Sequence, residues 1–282
     1  MFTDSFNYHH LRTDEDTESI DKSMQREISL AQNIQVTLLN GQTPEFEGGQ
    51  VLGTSLPARL IGGDYYDFYP LVNGKLRIVI GDVMGKGIPA AMLMILTRGA
   101  FRSAAESTQS PAETLKAMNK ALYSDLRKLR SFVTLYCADW DPKTKVLTFA
   151  NAGHNLPLLI KAKDQTVIPF PKTSGIMVGG LPEHSYEEGA ITLEENDTVF
   201  LYTDGIIEAQ NINGEQFKIE RLIELLKLHQ DKQVGEIEQC VMNSITEFTK
   251  GTPQRDDITM VLLKVTKDVS KITSLNSPFL ND

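Results

Sequence analysis

The stretch Gly81-Asp82-Val83-Met84-Gly85-Lys86-Gly87 is the most informative part of this chain. The apolar run at 75–80 before it has the composition of a β-strand, and the Ala-rich segment 88–107 after it has helical spacing. Gly85 and Gly87 are suited to the turn that joins the two. The pattern therefore predicts that Asp82 lies at the end of a strand, directly before a glycine turn that leads into a helix.

Three further aspartates share this context of an apolar strand joined to a turn. They are Asp64 in Gly62-Gly63-Asp64, Asp204 in Tyr202-Thr203-Asp204-Gly205, and Asp256 in Arg255-Asp256-Asp257-Ile258-Thr259. Carboxylates at the ends of neighbouring strands converge on one sheet edge, where cations must neutralise them or some must stay protonated. Oxygen donors without a nearby His or Cys favour Mg²⁺ or Mn²⁺ over zinc. The pattern predicts a site for two such ions, which can clamp a phosphoryl group during hydrolysis; the alternative is four unrelated turn aspartates.

Strand-like and helix-like segments occur in blocks, which indicates an α+β fold of sheets covered by helices. We take residues 45–266 as one domain. Strands are predicted at 50–55, 65–71, 75–80, 132–139, 146–150, 158–161, 198–202 and 258–265, and helices at 88–107, 111–129, 222–228 and 234–249.

The N-terminal part is predicted to be a flexible tail at 1–19 followed by a regulatory or linker segment at 20–44. Residues 267–282 are predicted to be a C-terminal tail. An amphipathic helix is expected over 20–39, because its apolar residues recur every three or four positions. This helix either packs on its own domain or forms a short coiled coil that dimerises the chain or couples it to a sensor. The apolar stripe consists of Ile20, Met24, Ile28, Ala31, Ile34 and Leu38.

The charge balance excludes several classes of partner. With 28 Lys+Arg against 37 Asp+Glu, the net charge is −9 and the isoelectric point is near 5.2. Binding to nucleic acid or to an anionic membrane depends on clustered basic residues, so neither is expected. No apolar run approaches the roughly 20 residues needed to span a bilayer, and no signal pattern opens the chain, so we expect a cytoplasmic protein. Cys137 and Cys240 are expected to be buried thiols.

Five motifs in order resemble the PPM-type metal-dependent serine/threonine phosphatases. The resemblance is strongest to the bacterial branch of the stage II sporulation phosphatase and the RsbU-like stress-response phosphatases, and it covers residues 26–265. It implies a fold of two central antiparallel sheets flanked by helices. The motifs are Gly62-Gly63-Asp64-Tyr65-Tyr66-Asp67, Gly81-Asp82-Val83-Met84-Gly85-Lys86-Gly87, Asn151-Ala152-Gly153-His154, Tyr202-Thr203-Asp204-Gly205 and Asp256-Asp257-Ile258-Thr259.

The resemblance also implies a set of metal ligands. Asp82 would bridge two metal ions, and the backbone carbonyl of Val83 would help to hold one of them. Asp204 and Asp256 would hold the other ion, and Asp64 would contact the cluster directly or through water. These five residues form the candidate catalytic and metal-binding set.

Several neighbouring residues have a role that is less directly implied. Arg59 is a candidate phosphate-binding residue, because a guanidinium can bind a phosphate bidentately; the alternative is a surface arginine. Asp257 is expected to support the ligands. Asp67, three residues after Asp64 on a strand, is expected to point to the opposite face and to act as a cap. His154 is interpreted as structural rather than as a general acid, and Lys86 is a candidate substrate contact.

The resemblance implies a phosphatase in which water activated by two metal ions hydrolyses phosphoserine or phosphothreonine. The implied substrate is a phosphorylated anti-sigma-factor antagonist of the STAS type in a partner-switching system. An upstream regulator is expected to act through residues 20–39. One alternative is a catalytically weak pseudo-phosphatase that acts as a regulatory binding module. Another is a nucleotide cyclase beginning at Gly62-Gly63-Asp64, although Tyr65 stands where its signature needs an acidic residue.

Overall fold

The computed structural model describes residues 14–39, 44 and 46–266, with side chains from Lys22 onward. Residues 1–13 of the predicted N-terminal tail and the whole predicted C-terminal tail, 267–282, lie outside these residues. The helices are α1 (Asp14–Leu39), α2 (Ile88–Ser107), α3 (Pro111–Lys128), α4 (Asp204–Ile207), α5 (Lys218–Leu228) and α6 (Val234–Phe248). The strands are β1 (Gly49–Leu56), β2 (Asp64–Pro70), β3 (Leu76–Val83), β4 (Val133–Asp141), β5 (Val146–Ala152), β6 (Leu158–Lys161), β7 (Thr166–Pro169), β8 (Glu188–Thr192), β9 (Thr198–Tyr202) and β10 (Ile258–Val265).

Two five-stranded antiparallel sheets lie at the centre of the domain. One has the strand order β1-β10-β9-β6-β7 and the other has the order β2-β3-β4-β5-β8. Successive side chains of each strand point to opposite faces of its sheet, so one set packs between the sheets and the other packs against the helices. In β10, for example, Val261 and Leu263 belong to the core between the sheets, whereas Met260 and Leu262 pack with α5 and α6. Helices α2 and α3 cover the outer face of the other sheet. The predicted fold of two antiparallel sheets flanked by helices is confirmed.

Several parts of the predicted element pattern were wrong. Helix α4 was not predicted, and α5 begins at Lys218 rather than at 222. Helix α1 begins at Asp14, so residues 14–19 are helical rather than part of a flexible tail; acidic residues are favoured in a first helical turn. Strand β3 continues to Val83, so Asp82 lies within the strand and not after its end. The edge strands β7 and β8 were missed because they are short and half-exposed.

The apolar stripe of α1 is largely uncovered. Met24 and Ile34 are 57% and 59% exposed. The helix instead contacts the domain through its last turns, where Gln35 is buried and Arg98 of α2 donates from Nε to the Leu38 carbonyl at 3.2 Å. The contact that fixes α1 therefore lies at its C-terminal end, next to the start of β2.

Two smaller predictions concern the membrane and the thiols. Over the part of the chain that the structure describes, none of the helices has the length and apolar character that a bilayer span requires. Both cysteines are free: Cys137 is buried in the sheet, and Cys240 is partly buried on α6.

Candidate active site

Two of the predicted ligands lie opposite each other at one end of the domain. Asp64 opens β2, and its register partner in β3 is Asp82. By alternation, both side chains continue the row of residues that faces the space between the sheets. Thr203 and Thr259 occupy the corresponding positions beside β9 and β10, and Thr203 donates to Asp64 Oδ2 at 2.8 Å. This hydrogen bond joins the ends of the two sheets.

Asp64 is the most deeply buried of the four predicted carboxylates, with 3% of its surface exposed. Burial raises the pKa of Asp64 well above its usual value, and the negative charge of Asp82 raises it further. The hydroxyls of Thr259 and Thr203 act in the opposite direction by stabilising the ionised form. Asp64 is therefore a carboxylate whose charge the protein alone does not fully compensate.

Asp82 lies at the electrostatic centre of the group. Burial, followed by the charges of Asp204, Asp256 and Asp257, raises the pKa of Asp82 to about 7. Burial and the charge of Asp256 likewise raise the pKa of Asp204. These mutual effects show that the structure brings the four predicted carboxylates together at one end of the sheets, where they repel one another.

Lys86 supplies a positive charge within this acidic group. Its ammonium donates to Asp256 Oδ2 and to the carbonyl oxygen of Arg255, each at 2.6 Å. It also favours the ionised forms of Asp82 and Asp204. The residue was predicted as a substrate contact from its charge, but its position next to Asp256 could not be predicted from the sequence.

Asp257 organises the backbone around Asp64. Its carboxylate accepts hydrogen bonds from the amides of Ala58 and Gly63, both at 2.7 Å, and from that of Asp64 at 3.4 Å. The approach is so close that a Cβ on Gly62 would lie 2.3 Å from Asp257 Oδ2. Glycine is therefore required at position 62, and Asp257 holds in place the segment that ends in Asp64.

The chemistry of the donor set fits a divalent cation. The group contains several carboxylates, all oxygen donors, with one nearby ammonium and a raised pKa at three of the carboxyls. Hard cations such as Mg²⁺ and Mn²⁺ prefer such oxygen ligands. Among residues 22–266 whose side chains are described, no three His, Cys, Asp or Glu side chains form a closed ligand set around one point. Asp256 would have to exchange its ion pair with Lys86 for the metal ion in order to bind it.

Arg59 and Val83 border the acidic group. Arg59 is exposed and lies beside the turn after β3, where a Cβ on Gly87 would be 3.4 Å from Arg59 Nη1. The Val83 carbonyl oxygen faces the Gly62-Gly63 segment, 3.0 Å from where a Cβ on Gly63 would lie. The structure thus places Arg59 on the rim, near Lys86, and the Val83 carbonyl next to the backbone that precedes Asp64.

Asp67 has the structural position that was predicted and an ion pair that was not. It lies on the opposite face of β2 from Asp64, where it is buried and forms an ion pair with Arg102 of α2 through two hydrogen bonds. The hydroxyl of Tyr65 also donates to it, at 2.9 Å. Asp67 Oδ1 also accepts a hydrogen bond from the Phe68 amide at 2.8 Å, as a capping residue would. Asp67 therefore also attaches α2 to the sheet, which was not predicted.

His154 is a buried histidine near the same end of the domain. Its Nδ1 lies 2.9 Å from the hydroxyl of Thr134, and its backbone amide donates to Asn151 Oδ1 at 2.7 Å. Burial lowers the pKa of His154 to about 4. The imidazole is therefore neutral near pH 7, which favours the structural interpretation over a general acid.

Comparison with known proteins identifies the family. The model of the family described as stage II sporulation protein E (SpoIIE) matches residues 73–266. The chain belongs to the SpoIIE family. The phosphoserine phosphatase RsbU of Bacillus subtilis (strain 168) is 30% identical to it over 249 residues, which are 87% of this chain and 72% of RsbU. This SpoIIE family member is accordingly an enzyme, a serine/threonine phosphatase of the PP2C type.

Solved structures support the fold. The SiaA-PP2C domain of Pseudomonas aeruginosa matches with a TM-score of 0.74 and 23% identity, covering 87% of this chain and 98% of that domain. RsbX in complex with magnesium matches with a TM-score of 0.59 and 18% identity, covering 80% of this chain and 99% of RsbX. These likenesses show that the chain has the fold of the two solved proteins.

Proposed function

We propose that this chain removes phosphate from phosphoserine and phosphothreonine with two divalent ions, Mn²⁺ or Mg²⁺. In this proposal Asp82 would bind both ions, the Val83 carbonyl would help to hold one, and Asp204 and Asp256 would hold the other. Asp64 would contact the ions directly or through water. The observation that carries the proposal is the convergence of these carboxylates, since burial and then the charges of neighbouring carboxylates raise the pKa of Asp64, Asp82 and Asp204. Divalent ions bound there would polarise the phosphoryl oxygens and lower the pKa of the attacking water.

The residues of the chain itself orient the reacting groups. Thr203 and Asp257 fix Asp64 from two sides, one through its carboxylate and the other through the preceding backbone. On the rim, we propose that Arg59 binds the phosphate of the substrate through its planar guanidinium, which matches a phosphate bidentately. Lys86, beside it in the loop after β3, adds a second positive charge that a phosphate can approach.

A groove next to Asp256 suits the polypeptide that carries the phosphorylated residue. It has a volume of about 280 Å³ and combines apolar residues with charged ones. Such a lining suits a peptide segment, which has both backbone polar groups and side chains. The residues that line it include Leu56, Met242, Ile245, Glu208 and Arg255.

We propose further that the substrate is a phosphorylated anti-sigma-factor antagonist of the STAS type. The support is the 30% identity to a relative whose name is phosphoserine phosphatase RsbU. A phosphoprotein of this class would place its phosphoserine at the acidic group and its flanking residues in the groove beside Asp256.

The proposed activity predicts a strict dependence on added metal. Purified protein treated with EDTA should release no phosphate from p-nitrophenyl phosphate or from a phosphoserine peptide, and Mn²⁺ or Mg²⁺ should restore the release. Phosphate release is measured colorimetrically. Hydrolysis that continues in EDTA would contradict the metal mechanism. No hydrolysis with any metal, together with no metal binding, would favour the regulatory binding module.

We also propose that the uncovered stripe of α1 binds an upstream regulator or a second copy of the chain. The support is the exposure of Met24 and Ile34, in contrast to Gln35, which the same helix buries against the domain. Changing both to glutamate should leave basal hydrolysis unchanged and should convert a dimer to a monomer, or abolish capture of the regulator. Sedimentation and a binding assay measure these outcomes. Unchanged association in the double variant would contradict the proposal.

A further inference from the structure

Gln35 is a buried polar side chain on a helix whose described side chains are otherwise largely exposed. It is 6% exposed, and it uses both ends of its carboxamide on the same residue. Nε2 donates to the Gly62 carbonyl at 2.7 Å, and Oε1 accepts from the Gly62 amide at 3.0 Å. The side chain thereby pairs with the backbone of Gly62 much as a neighbouring strand would.

Gly62 is held on its other side by Asp257. The carboxylate of Asp257 lies where a Cβ on Gly62 would be, and it accepts the next amide, that of Gly63, at 2.7 Å. Asp64 follows immediately. The segment 62–64 is therefore clamped between Gln35 from α1 and Asp257 from the turn before β10, and the position of Asp64 depends on both.

The clamp is sensitive to loss of either partner. Gly62 is buried, so removal of the Gln35 carboxamide would leave a buried donor and a buried acceptor without their partner. Unsatisfied buried groups of this kind are unfavourable, and the segment would shift to recover hydrogen bonds. Since Asp64 is joined to Gly62 through one residue, such a shift would move its carboxylate relative to Asp82.

We propose that Gln35 is a positioning residue for Asp64, so that α1 contributes to metal affinity. The proposal rests on the metal-binding role given to Asp64 under the proposed function. By linkage, docking of α1 at Gly62 would strengthen metal binding, and bound metal would favour the docked helix by the same free energy. Arg98, which binds the Leu38 carbonyl, keeps this end of α1 in register with the domain.

The test is the substitution Gln35→Met, which keeps the length of the side chain and its helix propensity but removes both hydrogen bonds. Binding of Mn²⁺ to chelator-treated protein is measured by calorimetry. We expect the dissociation constant to rise about 10-fold to 100-fold, which is the usual range for residues that orient metal ligands. The rate at saturating Mn²⁺ should be largely retained, and hydrogen exchange at the Gly62 amide should accelerate. The matched control is Gln25→Met, at an exposed position of the same helix, and should behave as wild type.

Each outcome has a defined meaning. A Gln35→Met protein that binds Mn²⁺ within twofold of wild type, with an accelerated Gly62 amide, would overturn the proposal and leave the proposed function intact. A wild-type protein that binds no Mn²⁺ would overturn both. If Gln35→Met does not fold, Gln35→Ala, with hydrogen exchange in the presence and absence of Mn²⁺, takes its place. Slower exchange of Gly62 in wild type on adding Mn²⁺ then supports the coupling, and unchanged exchange contradicts it.

Discussion

Replacing Asp82 with asparagine is expected to lower the phosphatase rate by at least about a thousandfold, because loss of a bridging ligand removes several kcal/mol of transition-state stabilisation. Asp82 is the residue on which the charges of Asp204, Asp256 and Asp257 converge, so no other carboxylate in the group has the same position. The measurement is phosphate release from a phosphoserine peptide at saturating Mn²⁺. The control is Asp164→Asn, at an exposed position in the turn between β6 and β7, and should retain the wild-type rate.

The Asp82→Asn substitution is expected to raise the stability of the metal-free protein. Burial and neighbouring charges raise the pKa of Asp82 from its usual 3.8 to about 7, so the folded protein binds more protons than the unfolded chain between these values. The protonated Asp82 carboxyl therefore contributes fully to the stability of the fold below pH 4, and this contribution is lost as the pH rises to 7. In chelator-treated protein above pH 7, Asp82→Asn should be more stable than wild type by up to about 4 kcal/mol.

The comparison between the two proteins isolates this effect from that of His154. Burial lowers the pKa of His154 to about 4, so its contribution to stability rises with pH over part of the same range, equally in both proteins. Urea unfolding at several pH values measures the difference. An Asp82→Asn protein that retains most of the phosphatase activity would refute the bridging role of Asp82. An Asp82→Asn protein that is less stable than wild type at pH 8 would refute the repulsion between Asp82 and the neighbouring carboxylates.

Removal of the Asp139 carboxylate is expected to give the largest loss of stability. Asp139 in β4 accepts two hydrogen bonds from Arg77 in β3, from Nε and Nη2, each at 2.7 Å. The Arg77 side chain is fully buried and also donates to the hydroxyls of Thr108 and Thr114, which lie at the junction of α2 and α3. Asp139→Ala leaves the arginine charge buried without its partner, which should lower the free energy of unfolding by about 3 to 5 kcal/mol.

A neighbouring ion pair on the same sheet supplies the control. Lys75 and Asp141 are 3.5 Å apart, and the Lys75 side chain is 36% exposed. Lys75→Met should change the free energy of unfolding by less than about 1 kcal/mol, as is usual for exposed pairs. Urea denaturation measures both variants. Equal losses from Asp139→Ala and Lys75→Met would show that burial does not set the strength of the Arg77 pair.

The sequence was most informative where one local pattern determined the outcome. Helix α2 and strands β6, β9 and β10 follow from unbroken apolar runs with the correct period, and their predicted ends match the structure. The edge strands β7 and β8 could not be found in this way. Each is short and half-exposed, and is defined mainly by its pairing with a neighbour that is distant in sequence or joined by a turn.

In the candidate site, too, the sequence identified individual residues but not the contacts between them. The four aspartates could be singled out because each joins an apolar strand to a turn, and the structure brings them to one end of the sheets. The contacts that organise them join residues far apart in the chain: Thr203 with Asp64, Lys86 with Asp256, and Gln35 with Gly62. Such pairs follow from the register of the sheets and the docking of α1, which a single sequence does not specify. The ion pair of Asp67 with Arg102 was missed for this reason, since Arg102 lies on another element.

Calorimetric titration of Mn²⁺ into chelator-treated wild-type protein, beside Asp82→Asn, is the most direct test of the carboxylate group as the catalytic metal site. We predict that wild type binds two ions per chain. We predict that Asp82→Asn, although folded, binds them at least about a hundredfold more weakly. Wild-type affinity in the Asp82→Asn protein, or no binding by wild type at concentrations that support hydrolysis, would contradict this account.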